Sequence, residues 1–341
     1  MGWNDFGSLV NLQFKKNKII YFLTIILCLY PSYMVNSDEP LKDNKQTKDE
    51  VVTYRFKLRY QKGIIQHWKY SEVTNVKRTF SDSSTLSFQR NIIYYFTIKC
   101  LDLPSEGFEK INITIDSIDY SFNDGAKVYK FNSQSEEDGD VNFEDVKANT
   151  ITLSREFDLT YSPYGEIAKI EGEQLDYYKN YIMENANKGV DSTVVLLWLK
   201  GLSQEALVHY VDPKKILLPP GPITLDSIWK TPFQITVNGI NYYDTLTTKI
   251  TSKKKISYIF LSESNNLRSY PQKAVLFSIK QPVNVDSSLG KGTYTIQLHS
   301  RGIIEKAEAD FNITSYISFR REHFTEGIKT KINWELLNQY K

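Results

Sequence analysis

Apolar side chains recur at every second position over most of this chain, and that period of two is the signature of strands with one dry face. Tyr54, Phe56, Leu58 and Tyr60 alternate with Arg55, Lys57, Arg59 and Gln61. Leu86, Phe88, Ile92, Tyr94, Phe96, Ile98 and Cys100 share one face, with Arg90 as its charged break. Ile151, Leu153, Phe157, Leu159 and Tyr161 face one way, interrupted by Arg155. The C-terminal third repeats the pattern: Val275, Phe277 and Ile279; Tyr294, Ile296 and Leu298; Ala307, Ala309, Phe311, Ile313, Ile317 and Phe319; then Ile328, Ile332, Trp334 and Leu336. Turns are predicted at Lys62-Gly63, Asn238-Gly239, Lys253 to Lys255, Gly290-Lys291-Gly292 and Arg301-Gly302. Such short connections make neighbouring strands antiparallel. The 23 Tyr and 18 Phe supply a core suited to sheet.

One break in the alternation is informative. Ile111, Ile113 and Ile115 are in phase; Ile118, Tyr120 and Phe122 are in phase with each other but shifted by one residue. A straight strand would turn the second set to water. An extra residue near Ser117 restores the register and predicts a β-bulge; the alternative is a plain turn between two shorter strands. The middle of the chain changes period. Leu175, Tyr178 and Ile182 are spaced by three and four, which predicts a helix over Glu173 to Ala186. Asp191 and Gly201 bracket a second helix, Ser203 caps a third, and Leu217 to Pro222 ends the helical region. The expected fold is mainly β: a large curved antiparallel sheet, a half-barrel or open barrel, with a small helical insertion at about residues 172–210 of a single domain, residues 51–341.

Ahead of that domain, Lys15, Lys16 and Lys18 precede the apolar run Ile19 to Tyr30, and a small-residue site follows at Val35-Asn36-Ser37. That layout predicts a signal peptide over residues 1–37, cleaved after Ser37, and an extracytoplasmic protein, periplasmic or secreted. An uncleaved anchor is the alternative, although the run is shorter than the roughly 20 residues of a spanning helix. Leu27 before Cys28 argues against lipidation. Residues 38–50 are polar and aperiodic and read as a flexible tether. Cys100 is then the single thiol, so the core alone holds the fold. The formal net charge is +2, and the leader's three lysines against Asp5 account for it. A neutral remainder argues against nucleic acid as a partner.

Chemistry-bearing motifs are sparse. His67, His209, His299 and His323 stand at no metal-ligand spacing. Glu136-Glu137-Asp138-Gly139-Asp140, with Glu144 and Asp145, departs from the EF-hand order and reads as a solvated hairpin tip. No G-x-S-x-G or glycine-rich phosphate loop occurs, and Cys100 falls on an apolar face. Asn112 and Asn312 head sequons within predicted strands. Lys253 to Lys255 and Arg320-Arg321 read as solubilising charges at turns and strand ends. Neither enzymatic activity nor a cofactor or metal is expected.

Three motifs carry a resemblance: Ser162-Pro163-Tyr164-Gly165-Glu166-Ile167 before a helix, Leu218-Pro219-Pro220 after the helices, and Asp226-Ser227-Ile228-Trp229 shortly beyond. Together they resemble a group of uncharacterised secreted β-rich bacterial envelope proteins, a domain of unknown function. That group usually has glycine where this chain has Leu225. The resemblance implies no catalytic residues. At fold level the chain is similar to the lipoprotein-carrier-like half-barrels of the bacterial envelope, which is analogy and does not fix function.

The expected function is therefore non-enzymatic. If the helices leave a gap over the concave face, aromatic residues would line a pocket for a lipid or another apolar ligand; if they fill it, the chain is a scaffold or binds an envelope protein partner. A hydrolase ranks last. Trp198 and Trp229, in and beside the helical cover, are the candidate ligand-binding residues, with plain core packing as the alternative.

Overall fold

The computed structural model describes residues 52–101, 107–135, 139–140, 143–162, 164–189, 192–214, 218–276 and 281–341. The leader, the tether, Asp191, Leu217 and Phe277 to Lys280 lie outside them. Thirteen strands form one antiparallel sheet: β1 (Ile65–Phe80), β2 (Thr85–Cys100), β3 (Glu109–Asn123), β4 (Val128–Asn132), β5 (Glu156–Tyr161), β6 (Ile167–Glu171), β7 (Ile228–Val237), β8 (Ile240–Lys253), β9 (Ser257–Leu267), β10 (Gln272–Ala274), β11 (Val283–His299), β12 (Ile304–Phe319) and β13 (Glu322–Tyr340). Their order across the sheet is β6-β5-β3-β2-β1-β13-β12-β11-β9-β8-β7, with β4 on β3 and β10 on β11. Among the described residues there are four helices: α1 (Glu144–Thr150), α2 (Glu173–Ala186), α3 (Ser192–Gly201) and α4 (Gln204–Val211).

The topology dictates where the helices go. β6 and β7 are the two ends of the strand order, and α2 to α4 connect them. The helical segment must therefore cross from one edge of the sheet to the other. Adjacent strands lie about 4.8 Å apart, so β8 and β12, three steps apart, would be about 14 Å apart in a flat sheet. Yet the Tyr242 hydroxyl of β8 and Ser315 Oγ of β12 are 3.0 Å apart. Asn238, at the β7–β8 turn, donates to Glu326 of β13 at 2.7 Å. Only a strongly curled sheet allows this, and the helices span its concave side.

The bulge is present at the expected place. Tyr95 pairs with Ser117 and Phe96 with Ile115, leaving Asp116 as the extra residue. It keeps Ile111, Ile113, Ile115, Ile118, Tyr120 and Phe122 all buried in one continuous strand. The Asn238-Gly239 turn is a two-residue hairpin with positive φ at both residues, 47° and 78°. The helix over Glu173–Ala186 has those bounds, and Ser203 Oγ caps α4 by accepting from the Ala206 N–H.

Four local expectations are corrected. Tyr54 to Tyr60 buries alternate side chains but joins no strand of the sheet. It straps one open end of the trough: Tyr54 bridges Ile223, the Arg59 N–H donates to the Gly302 carbonyl at 3.0 Å, and the Tyr60 N–H donates to Glu109 Oε2 at 2.8 Å. Ile151 and Thr152 lie in a turn and Leu153 makes an isolated bridge to Ile115, so of this run only Glu156–Tyr161 forms a strand. Glu144 and Asp145 open α1 rather than a hairpin tip, where acidic side chains favour a helix N-terminus. Gly290-Lys291-Gly292 is the middle of β11, with a register shift there against β9. Glycine in a strand marks a bulge or a close approach, and a methyl group at Gly292 would overlap the Phe311 ring and the Asp310 carbonyl.

The convex face is polar. Lys77 of β1, Lys306, Glu308 and Asp310 of β12, and Lys329, Lys331 and Glu335 of β13 all point outward and are exposed. A lipid-facing strand would carry apolar residues there. The apolar payload is inside, with Trp334, Tyr70, Tyr94, Tyr294, Phe96 and Phe311 fully buried.

Substitution Gly292→Ala is expected to cost about 1–3 kcal/mol through overpacking against Phe311. Urea unfolding should show a lower midpoint; an unchanged midpoint would mean the ring has room to move.

Candidate functional site

The inner face of β1 is unusual for a core. Trp68, Tyr70 and Val76 are joined there by Glu72, Thr74 and Arg78, all nearly inaccessible. A buried carboxylate without partners is costly. Glu72 has four. Arg90 Nη2 of β2 donates to Oε1 at 2.6 Å, and Thr74 Oγ1 at 2.7 Å. The Tyr70 hydroxyl donates to Oε2 at 2.6 Å, and His209 Nε2 of α4 lies 3.1 Å from the same oxygen. His209 Nε2 is also 2.9 Å from the Tyr70 oxygen, so a proton on Nε2 serves both acceptors. Burial works to raise the Glu72 pKa, but Arg90, His209 and Tyr70 together hold it well below the usual carboxylate range. A second buried pair, Arg78 Nε to Glu326 Oε1 at 2.8 Å, is completed by Asn238 from the β7–β8 turn.

Aromatic packing finishes the attachment of α4. Tyr210 lies over Tyr94 and edge-on to Tyr70, with centroids at 4.6 and 5.4 Å. The Trp334 indole N–H donates to the Tyr210 carbonyl at 2.9 Å, and the Tyr210 hydroxyl donates to Asn149 Oδ1 of α1 at 3.2 Å. α3 comes close to α1 at Gly201, where a Cβ would overlap the Ala148 carbonyl.

The helices fill the centre of the trough and leave a gap at the end nearer the β7–β8 turn. That cavity is about 460 Å³. Phe122, Tyr129, Phe143 and Ala148 form one wall; Val194, Leu197 and Ala206 come from the helical cover; Val275 and Leu276 lie opposite. Arg90, Asp145, Lys200, His209 and Asn238 supply polar groups, with Asp124 and Glu144 also lining it. Asp145 is engaged by the Tyr120 hydroxyl and lies 3.9 Å from Arg90 Nη1. Lys200 Nζ donates to the Gly239 carbonyl at 2.6 Å. Burial, reinforced by the positive charge of Arg90, lowers the Lys200 pKa to about 8. Among the described residues, no three His, Cys, Asp or Glu side chains are grouped so as to hold a metal ion.

Trp198 and Trp229 are both partly buried against the core, and neither lines this cavity. Trp229 of β7 packs edge-on to Phe260 at 5.8 Å, and the indole N–H of Trp198 meets no hydrogen-bond acceptor among the described residues. Cys100 is buried, with its thiol pushed up to about 12 by burial and by Glu109. Of the four histidines, His209 alone lines the cavity. Sequence reasoning named His209 only to set it aside for want of metal-ligand spacing, and it passed over Lys200 and Glu72. Lys200 had a signal, the single charge that ends the apolar run Val194 to Leu199.

No family model matches the chain, and no curated protein matches it; the resemblance to a group of secreted β-rich proteins has no family match behind it. Among solved structures, one on lipid–protein interactions in lipovitellin aligns over 83% of this chain and 26% of that chain, with 9% identity and a TM-score of 0.41. The chain thus spans about a quarter of the lipovitellin chain's length. The translocator domain of autotransporter NalP from Neisseria meningitidis aligns over 81% of this chain and 90% of its own, with 6% identity and a TM-score of 0.18. An outer membrane channel from Pseudomonas putida F1 aligns over 85% of this chain and 100% of its own, with 6% identity and a TM-score of 0.20. At these scores the likenesses carry no functional weight.

Substitution Glu72→Gln is expected to cost about 3 kcal/mol or more near neutral pH, because Arg90 stays buried without its counter-charge. The depressed Glu72 pKa contributes stability that is full above the ordinary value of 4.5 and fades as pH falls below it. Urea unfolding across an acid pH series should show a shallower decline for the variant. Parallel curves would remove Glu72 as the titrating group.

Proposed function

We propose that this chain is a non-enzymatic extracytoplasmic protein that holds a small, mostly apolar ligand between its helical cover and the concave face of its sheet. The supporting observation is the cavity of about 460 Å³, which falls within the roughly 300–1,000 Å³ of ligand pockets. Its walls pair aromatic and aliphatic side chains with a few fixed polar groups, the usual composition of such sites. The polar convex face fits a protein that works in water and keeps apolar cargo inside. The histidine of the cavity, His209, has its Nε2 committed to Glu72 and Tyr70, which suits a structural role better than proton transfer. Export rests on the leader, Lys15 to Ser37.

A second reading, a scaffold or a binder of an envelope protein, draws on one surface feature. Tyr177, Tyr181 and Met183 of α2 are exposed, at 64%, 51% and 42%. A partner seated there would explain them, and light scattering of the purified protein with a pull-down from native membranes tests it; a solitary monomer that captures nothing counts against it.

Ligand carriage is tested by mass spectrometry of an organic extract of the purified protein, alongside binding of a neutral apolar fluorophore. Ala206→Trp, which fills the cavity from α4, is expected to abolish both signals. Val194→Phe fills it from α3 and should do the same if the first variant folds poorly by circular dichroism. Retained binding in a folded, cavity-filled variant would place the ligand elsewhere.

A further inference from the structure

The cavity contains a cation whose charge the protein does not answer at contact distance. Lys200 Nζ makes its hydrogen bond to a neutral group, the Gly239 carbonyl, at 2.6 Å. Among the described residues no carboxylate oxygen pairs with it within 4.0 Å, whereas Arg90 is paired with Glu72 and Arg78 with Glu326. An ammonium offers three donors, so one backbone acceptor leaves two. A half-buried ammonium in that condition is costly unless an anion or water completes it. None of the other charges around it pairs with it at contact distance. Arg90 on β2 repels it, Asp145 on α1 is held by Tyr120 and Arg90, and Glu205 on α4 acts only at a distance. Glu144 and Asp124 line the same cavity, and Asp124 caps the turn at Ala126 and Lys127.

We propose that Lys200 binds the anionic end of the ligand, and that the ligand is a single-chain carboxylate whose tail lies along Phe122, Phe143, Leu197 and Leu276. This rests on the ligand-holding reading of the same cavity. One cation without a contact carboxylate matches a monoanion at most, since Asp145 and Glu205 already act on it from a distance; a phosphate dianion would leave a surplus negative charge beside Asp145 and Glu144. Size agrees. At roughly 30 Å³ per water-sized unit, 460 Å³ accommodates about 15 non-hydrogen atoms, one medium-length chain rather than a two-chain lipid. The lowered Lys200 pKa adds a pH signature: the ammonium is present below about 8 and is lost as pH rises through that value.

Calorimetry with decanoate and with decanol, each below its aggregation limit, tests this on the full chain. The wild type is expected to bind decanoate about tenfold more tightly than decanol, with the preference fading as pH rises through about 8. Lys200→Met keeps the stem and should erase the preference, weakening decanoate about tenfold more than decanol. Lys147→Met on α1, outside the cavity lining, should behave as wild type. Equal binding of both probes by the wild type, with no effect of Lys200→Met, would overturn the anion assignment and leave the cavity reading standing. Binding of neither probe by folded protein would overturn both.

Discussion

A single buried carboxylate ties the helical cover to the sheet. Glu72 collects Tyr70 and Thr74 from its own strand, Arg90 from β2 and His209 from α4, so one side chain joins elements as far apart as residues 70 and 209. A buried ion pair contributes little net stability, because desolvation offsets much of the attraction. Its value here is positional. A helix packed on aromatic rings alone has several near-equivalent seats; a histidine that must reach one carboxylate has one. With α4 seated, Tyr210 is set against Tyr94 and Trp334, and the remaining helices define a gap of fixed shape.

The curl of the sheet is secured by a comparable device. Asn238 is placed by the hairpin turn it helps to form, and its amide reaches Glu326 on β13. The Gly239 carbonyl in the same turn accepts from Lys200 of α3. The tip of the β7–β8 hairpin therefore touches both the far strands and the helical cover. At the opposite end the strap from Tyr54 to Tyr60 takes over, with Phe56 packed on Tyr258 and Phe260 at about 5 Å. The trough is closed differently at its two ends, and the cavity described above lies at the hairpin end.

Much of this sheet was legible because one face is apolar at every second residue. The phase slip between Ile115 and Ile118 located the bulge, and the Asn-Gly pair located a hairpin. β1 was not legible. Its inward positions from Gln66 to Arg78 mix ions and hydroxyls with aromatics, so hydrophobic alternation fails where the core is ionic. The segment from Tyr54 to Tyr60 showed the opposite error: a chain that buries one side against a trough has strand periodicity without strand pairing. Gly290 and Gly292 read as a turn because the reason for them, the Phe311 ring on β12, lies far along the sequence. The cavity was beyond local reading altogether, since Arg90, Lys200 and Gly239 meet only after the helices cross from one sheet edge to the other. The same holds for Trp198 and Trp229, whose size and position beside the cover gave no means of telling cavity wall from packed core.

The two cations of the cavity show why neighbouring charges differ in what they are free to do. Arg90 was the visible interruption in an apolar strand, yet Glu72 and Asp145 have already answered it. A guanidinium offers a rigid fork suited to such fixed pairing. Lys200 is a point charge on a flexible stem, held by one carbonyl at the end of α3. A ligand's carboxylate would reach Arg90 only in competition with the buried Glu72 pair, whereas at Lys200 it would meet an ammonium with no ion-pair partner among the described residues. Under the proposed reading, desolvation favours the less conspicuous cation as the one that would meet cargo, and leaves the more conspicuous one to hold the fold.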